Sequence, residues 1–132
     1  MSFIIDSDIC SAYLRGDGRV QGRFLQYSGG LYASAVTLAE LYTWVYKVPQ
    51  PSRRMEVMLT MLGEVQVVPV DEIIAEKFGQ VRAGMLGRGT VVATSDLLIA
   101  VTALHLDYTV VTHNTKHFSM VPGLRLQDWL SP

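Results

Sequence analysis

The segment Phe3-Ile4-Ile5-Asp6-Ser7-Asp8 indicates the architecture of the whole chain. Three apolar residues end abruptly at two closely spaced carboxylates, and a helix-like pattern follows over residues 9–14. An apolar run without polar alternation is typical of a strand that is covered on both faces, as in a parallel sheet flanked by helices. The segment therefore predicts a buried central strand with acidic residues at its carboxyl end.

Strands and helices alternate along the rest of the chain. The predicted strands cover residues 31–35, 65–70, 108–112 and 124–126, and the predicted helices cover residues 37–48, 52–62, 71–86 and 95–106. Pro49 and Pro51 break the chain between two of these helices, and Ser52 and Asp71 are the predicted N-caps of the helices that follow them. This alternation predicts an α/β fold, and the absence of a repeat or linker predicts one domain over residues 1–132.

Composition excludes several classes of protein. The chain has 132 residues, is 49% hydrophobic and carries a net charge of −1, which does not fit intrinsic disorder. The densest apolar stretch, residues 97–106, is shorter than the roughly 18 residues that a membrane-spanning helix needs. Asp6 and Asp8 interrupt any secretory signal, and Cys10 has no second cysteine to pair with. We expect a reduced cytoplasmic protein with no membrane segment.

Four acidic residues follow predicted strands or open predicted helices: Asp6, Asp8, Glu40 and Asp96. In an open parallel sheet, ligands bind in the crevice at the carboxyl ends of the strands. If the strands concerned are neighbours, these carboxylates converge there.

Each acid also has a local explanation. Thr37-x-x-Glu40 fits a capping box, in which Glu40 would reach back to the backbone of Thr37. Ser95-Asp96 and Ser7-Asp8 fit an N-cap followed by an acid in the first helical turn. Asp6 fits such an explanation least well, because it ends a buried strand.

The four acids taken together favour a metal site. Carboxylates packed together repel one another, and a hard divalent cation such as Mg²⁺ removes that repulsion. Such cations can assist the hydrolysis of a phosphodiester. Without the four acids, 11 basic residues face 8 acidic ones, and eight of the basic residues are arginines, which bind phosphate through a planar fork. The remaining surface therefore suits a polyanionic substrate.

Four segments of the chain resemble PIN-domain nucleases in order and spacing. They are residues 3–8, Thr37-Leu38-Ala39-Glu40-Leu41, Ser95-Asp96-Leu97-Leu98-Ile99-Ala100 and Val110-Val111-Thr112-His113-Asn114-Thr115-Lys116-His117-Phe118. The likeness continues through residues 121–124 and 127–129. It is closest to the VapC toxins of bacterial type II toxin–antitoxin pairs, within the group described as cleaving initiator tRNA, where residues 81–90 also have a counterpart.

The resemblance implies a PIN-like three-layer sandwich with a five-stranded parallel sheet between helices. It implies an endoribonuclease that depends on Mg²⁺ or Mn²⁺ and hydrolyses RNA, with tRNA as the expected substrate. It further implies a cognate VapB-type antitoxin, a homodimer and a cytoplasmic location.

The resemblance also assigns residues. Asp6, Glu40 and Asp96 match the three most constant acids of the family, which implies catalytic and metal-binding roles. Asp8 stands where the family usually has Asn, and Asn114 stands where many PIN domains have a fourth acid, so both are possible additional site residues.

Three further residues are candidates for RNA contact. Arg82 and Arg88 flank a glycine-rich loop that leads to Asp96, where arginine side chains could bind phosphate. His113 follows the strand at residues 108–112 and would lie at the rim of the site.

Two alternatives remain open from the sequence. Asp6-x-Asp8 after a strand also matches the first motif of haloacid-dehalogenase-like phosphatases, with Asp6 as nucleophile. That chemistry needs a lysine and a later pair of aspartates, but Lys77 and Lys116 are poorly placed and His113-Asn114 stands where the pair belongs. The second alternative is a non-catalytic PIN-like RNA-binding module, against which the retained acids argue.

Overall fold

A five-stranded sheet runs through the centre of the computed structural model, which describes residues 1–132. The strands are β1 (Phe3–Ile5), β2 (Leu31–Ser34), β3 (Gln66–Val68), β4 (Thr109–Val111) and β5 (Leu126–Gln127). The helices are α1 (Ser7–Leu14), α2 (Gly18–Gln26), α3 (Ala35–Tyr46), α4 (Ser52–Leu62), α5 (Glu72–Gly87), α6 (Thr94–Leu106) and α7 (Thr115–Phe118).

The order of the strands places β1 at the centre of the sheet. That order is β3-β2-β1-β4-β5, and every neighbouring pair is parallel. The chain builds outward from β1 through β2 to β3 on one side, and then crosses to form β4 and β5 on the other. The direction of winding therefore changes between β1 and β4, and in open α/β sheets such a switch point is where ligands bind.

Helices cover both faces of the sheet, which confirms the predicted three-layer architecture. Phe3 and Ile5 pack with α1, α2, α3 and α4 on one face, whereas Ile4 packs with residues of α5, α6 and α7 on the other. All three residues of β1 are completely buried. An apolar run without alternation is thus explained by burial on both faces.

The structure differs from the sequence prediction in two helices and two strands. Helix α2 was not predicted because Gly18 and Gly22 disfavour helix, and burial of Val20 and Phe24 on one face overcomes that cost. The four-residue helix α7 was also missed. Strand β5 begins at Leu126 and not at residue 124, and β3 is an exposed edge strand that is not covered on both faces.

Helix starts test the predicted caps directly. Asp71 caps α5 as predicted, since its Oδ1 accepts a hydrogen bond of 3.0 Å from the backbone N–H of Ile74. The prediction for Ser52 is wrong, because Ser52 is the first residue of α4 and its N-cap, Pro51, makes no side-chain hydrogen bond. Proline already fixes the backbone there, so the helix begins without a side-chain cap.

Two further features limit the chemistry of the chain. No helix has both the length and the apolar character that crossing a membrane requires. Cys10, the one cysteine, is completely buried in the core beside β1, and burial raises the pKa of its thiol.

Candidate active site at the carboxyl edge of the sheet

Asp6 ends β1 and begins α1. Its Oδ1 accepts a hydrogen bond of 2.7 Å from the backbone N–H of Ser7, and its Oδ2 accepts one of 2.8 Å from the hydroxyl of Thr112. Only 5% of Asp6 is exposed. Asp6 is therefore the N-cap of α1 as well as the end of a buried strand, although the sequence indicated that a cap was the weakest explanation for it.

Thr112 joins β4 to the same site. Its side chain is completely buried, and its Oγ1 also accepts a hydrogen bond of 3.0 Å from the backbone N–H of Asn114. Thr112 was not among the site residues predicted from the sequence. The one available signal was its position, because it is the first polar residue after β4, which lies next to β1 in the sheet.

Asp8 lies in the first turn of α1, half-buried, and faces the end of β4. Its Oδ1 accepts a hydrogen bond of 2.8 Å from the backbone N–H of Ile9, and its Oδ2 accepts one of 2.9 Å from that of His113. The Ser7-Asp8 cap is not observed, because Ser7 is already the first residue of α1. The carboxylate of Asp8 instead bridges two elements of the fold.

Glu40 is not part of a capping box. Helix α3 begins at Ala35, and its N-cap is Ser34, whose hydroxyl accepts a hydrogen bond of 3.1 Å from the backbone N–H of Val36. Strand β2 runs into the helix without a loop, which places Glu40 in the second turn and beyond reach of the N-terminus. Thr37, one turn before Glu40 on the same helix face, is completely buried and its hydroxyl has no hydrogen-bond partner.

Asp96 lies in the first turn of α6, and its side chain does not cap the helix. The N-cap is Ala93, which has no side-chain cap, so the predicted Ser95-Asp96 cap is wrong. Asp96 is half-buried, and its charge acts on both Asp6 and Glu40. Asp96 therefore lies within electrostatic range of Asp6 and Glu40.

The pKa values of these four carboxyl groups all shift upward, and burial is the largest cause for each. Burial, followed by the charge of Asp8, raises the pKa of Asp6 from 3.8 to about 7. Burial also raises the pKa of Asp8 and that of Asp96. Loss of solvent around its carboxyl, followed by the charge of Asp96, raises the pKa of Glu40 even though the residue is exposed as a whole.

The donor set fits a hard divalent cation. Every group is an oxygen donor, and burial is the largest cause of the raised pKa of each, so a bound cation would offset the cost of ionising them. No three His, Cys, Asp or Glu side chains come close enough to form a complete set of metal ligands. A cation such as Mg²⁺ that is held here would therefore have to keep several of its waters, as that ion commonly does.

The two arginines that flank the glycine-rich segment before Asp96 differ from each other. The guanidinium of Arg82 donates 2.7 Å to the carbonyl of Val92 and 3.4 Å to the hydroxyl of Thr94, and it lies over the ring of Phe78. Arg82 therefore holds the segment that leads into α6. Arg88 ends α5, is exposed, and makes no ion pair or side-chain hydrogen bond.

Residues after β4 surround the acids. Asn114 precedes α7, and its side-chain amide lies 2.9 Å from Nδ1 of His117. The charge of His117 partly offsets the rise that burial causes in the pKa of Asp96, and this proximity was not predicted from the sequence. His113 is exposed and pairs with Asp128, whose Oδ2 lies 2.9 Å from its Nδ1.

Comparisons with known proteins identify similar sequences and structures. The PIN-domain family model matches residues 3–124. The tRNA(fMet)-specific endonuclease VapC of Shigella flexneri is 32% identical over 130 residues, which is 98% of each chain. A DNA-bound VapBC structure from Salmonella typhimurium has a TM-score of 0.92 at 29% identity and covers 98% of each chain. A promoter-bound VapBC2 structure from Rickettsia felis has a TM-score of 0.91 at 23% identity, covers 98% of this chain and 99% of its own, and supports the fold alone.

Proposed function

Because the chain belongs to the PIN-domain family and is similar to VapC proteins along its length, we propose that it is the endoribonuclease toxin of a VapBC-type toxin–antitoxin pair. The reaction is metal-dependent hydrolysis of an RNA phosphodiester bond. Family membership does not favour the phosphatase alternative.

One observation carries this proposal: four carboxyl groups with raised pKa values gather at the switch point of a parallel sheet. A non-catalytic RNA-binding module gains nothing from buried acids that repel a polyanion. Raised pKa values in a group of carboxyls are characteristic of functional sites, where charge is held at the expense of stability.

Asp6, Glu40 and Asp96 would hold Mg²⁺ or Mn²⁺, with Asp8 and Asn114 beside them. When bound, the cation supplies a water of lowered pKa and stabilises charge on the phosphate. Thr112 orients Asp6 by donating to its Oδ2, and the backbone N–H of His113 orients Asp8. A proton held by Asp6 near neutral pH would leave as the cation binds, because only the carboxylate is a ligand.

The expected substrate is tRNA, because the relatives from Shigella flexneri and Salmonella typhimurium are tRNA(fMet)-specific endonucleases. Arg88 is the candidate for phosphate contact, because its guanidinium is exposed and makes no ion pair or hydrogen bond within the chain. Arg82 and His113 would contribute mainly by shaping the site, since their side chains already bind within the chain.

The expected partner is a VapB-type antitoxin, and solved VapBC complexes of similar proteins support this proposal. A groove of about 220 Å³ lies between α1 and α3 and is lined by Ser11, Leu14, Arg15 and Trp44. Asp8 lies one turn before Ser11 on α1, and Glu40 lies one turn before Trp44 on α3. One end of the groove is therefore next to these two acids. A peptide lying there could reach the site. A homodimer is also expected.

Cleavage assays with defined RNAs test the enzymatic part. Purified protein in Mn²⁺ should cut initiator tRNA internally, cut elongator methionine tRNA poorly and leave a small phosphomonoester intact. Addition of EDTA should stop cleavage. Cleavage that continues in EDTA would contradict metal dependence, and phosphate release that Asp6→Asn abolishes would support a phosphatase instead.

Thermal melting tests the metal independently of activity. Millimolar Mg²⁺ or Mn²⁺ should raise the Tm of the wild type, because ligands that bind only the native state stabilise it by mass action. Asp6→Asn and Asp96→Asn should lose most of that shift. A wild type whose Tm does not respond to either cation would show that the acids are not a metal site.

A further inference from the structure

Asp8, His113 and Asp128 form a chain of contacts across three neighbouring strands, since each lies just beyond the carboxyl end of β1, β4 or β5. The backbone N–H of His113 donates 2.9 Å to Oδ2 of Asp8. The imidazole Nδ1 of the same residue lies 2.9 Å from Oδ2 of Asp128. One residue thus touches a site acid with its backbone and a distant acid with its side chain.

Asp128 is the fixed end of this chain. Its Oδ1 accepts a hydrogen bond of 2.9 Å from the backbone N–H of Leu130, and its Oδ2 accepts one of 2.8 Å from the hydroxyl of Ser131. Its side chain is 12% exposed, against 60% for His113. The next residue, Trp129, is buried among aromatic rings that include Phe3. Asp128 therefore has little freedom to move.

Asp8 depends on His113 for one of its two oxygens. Oδ1 is held by the adjacent N–H of Ile9, a local contact within α1. Oδ2 is held by the N–H of His113 at 2.9 Å, and the hydroxyl of Thr112 is more distant at 3.5 Å. The direction of the Asp8 carboxylate is therefore set by where the loop after β4 places one amide.

We propose that His113 and Asp128 are positioning residues, whose side-chain pair holds the N–H of His113 on Asp8 and thereby orients that carboxylate within the acidic cluster. The expected effect on metal affinity rests on the proposed function, whereas the expected effect on the backbone amide of residue 113 does not. Residues that orient metal-binding side chains typically change metal affinity by about 10–100-fold when they are removed.

A purely structural contact makes a different prediction. If the pair only attached the C-terminal segment to the loop, its removal would lower the Tm and leave the affinity of the folded protein for Mn²⁺ unchanged. His113→Asn should restore the contact with Asp128. The amide nitrogen of asparagine stands at the same position along the side chain as Nδ1 of histidine and can donate to that carboxylate.

The experiment compares His113→Ala, Asp128→Ala and His113→Asn with the wild type. Calorimetry measures the affinity for Mn²⁺, and NMR measures hydrogen exchange of the backbone amide at position 113. The two alanine variants should bind Mn²⁺ about tenfold more weakly and exchange that amide faster. The double alanine variant should lose no more than either single one, and His113→Asn should stay within about twofold of wild type.

Arg125→Ala is the matched control. Arg125 pairs with Asp107 at 3.0 Å and joins the segments that precede β5 and β4, at the opposite end of the same two strands. This variant should retain the affinity for Mn²⁺ and the exchange rate of the wild type.

Two results would overturn the proposal: wild-type affinity and amide exchange in folded His113→Ala, or a loss in His113→Ala that His113→Asn does not restore. If the wild type itself binds no Mn²⁺, the proposed function fails, and the amide exchange alone decides the positioning role. Faster exchange in Asp128→Ala then supports it, and unchanged exchange refutes it.

Discussion

Oγ1 of Thr112 lies 2.8 Å from Oδ2 of Asp6, and this hydrogen bond joins residues that are 106 positions apart in the chain. It also acts against burial, since it lowers a pKa that burial raises. The bond therefore ties the ends of β1 and β4 together and keeps the central acid of the site more easily ionised.

Thr112→Val removes this bond while conserving the shape of the side chain. We expect a loss of about 1–3 kcal/mol in unfolding free energy, because a buried carboxyl and the N–H of Asn114 both lose their partner. Affinity for Mn²⁺ should fall as well. Thr102→Val is the control, because Thr102 is equally buried but donates only to the carbonyl of Leu98 in its own helix. Equal effects of the two variants in urea denaturation would contradict this expectation.

Glu40→Gln should fold with nearly wild-type stability and lose RNA cleavage and growth toxicity. Glu40 does not cap α3, and Gln preserves both the size of the side chain and the ability to hydrogen-bond with Ser7. Binding of the antitoxin should survive, since it depends on the helical surface. Thermal melting, cleavage of tRNA and co-purification give the three readouts.

Glu76→Gln on the exposed face of α5 is the matched control for this variant. It should retain both stability and cleavage. Full cleavage by stable Glu40→Gln protein would remove Glu40 from the site.

The stability of the metal-free protein should fall as the pH rises from about 4 to 7. The pKa of Asp6 is about 7 in the folded chain and 3.8 ordinarily, so the native state binds more protons in this interval. The contribution of Asp6 is at most about 4 kcal/mol and is lost progressively as the group ionises. Urea denaturation in EDTA at a series of pH values measures it.

Asp6→Asn should flatten this dependence, whereas Asp107→Asn, at an exposed ion pair, should not. Millimolar Mg²⁺ should weaken the fall in wild-type stability between about pH 4 and 7, since the cation binds the ionised form. A wild-type slope that persists in Asp6→Asn would show that other groups cause it.

Arg82→Ala and Arg88→Ala should separate a structural arginine from a substrate contact. Arg82→Ala should lose about 1–2 kcal/mol of unfolding free energy, because the carbonyl of Val92 loses a charged donor. Arg88→Ala should keep its stability, raise KM for RNA and reduce the salt dependence of binding by about one unit of slope. The reverse pattern would exchange the two roles.

Binding of the antitoxin should change the environment of Trp44. Trp44 is partly exposed on the wall of the α1–α3 groove, whereas Trp129 is buried in the core. We expect the tryptophan emission to shift to shorter wavelength as the VapB-type partner binds. Trp44→Phe should abolish the shift and retain co-purification. A shift that persists in Trp44→Phe would place the antitoxin elsewhere.

The parts of the fold that follow from local pattern were predictable. The run Phe3-Ile4-Ile5 predicts a strand buried on both faces, and Asp71 predicts the start of α5. Each signal is contained in the few residues that form the element. Helix α2 was not predictable, because Gly18 and Gly22 argue against a helix that only tertiary burial of Val20 and Phe24 stabilises.

The site divides in the same way. The acids could be located because they follow predicted strands, and their convergence required only the general behaviour of parallel sheets. The N-cap of α3 could not be decided, since Ser34 and Thr37 are both good caps and the choice depends on where β2 ends. Thr112 and Asp128 act through pairings with residues far away in the chain, which no local pattern contains.

Because the thiol of Cys10 is enclosed by the core and its pKa is raised, the native chain should not react with thiol-reactive probes. Cysteines introduced at exposed positions such as Lys116 and Ser131 would be the only thiols that a spin or fluorescent label can reach. Labels at Lys116 and Ser131 would then report, in otherwise native protein, how far the loop after β4 moves from the C-terminal segment.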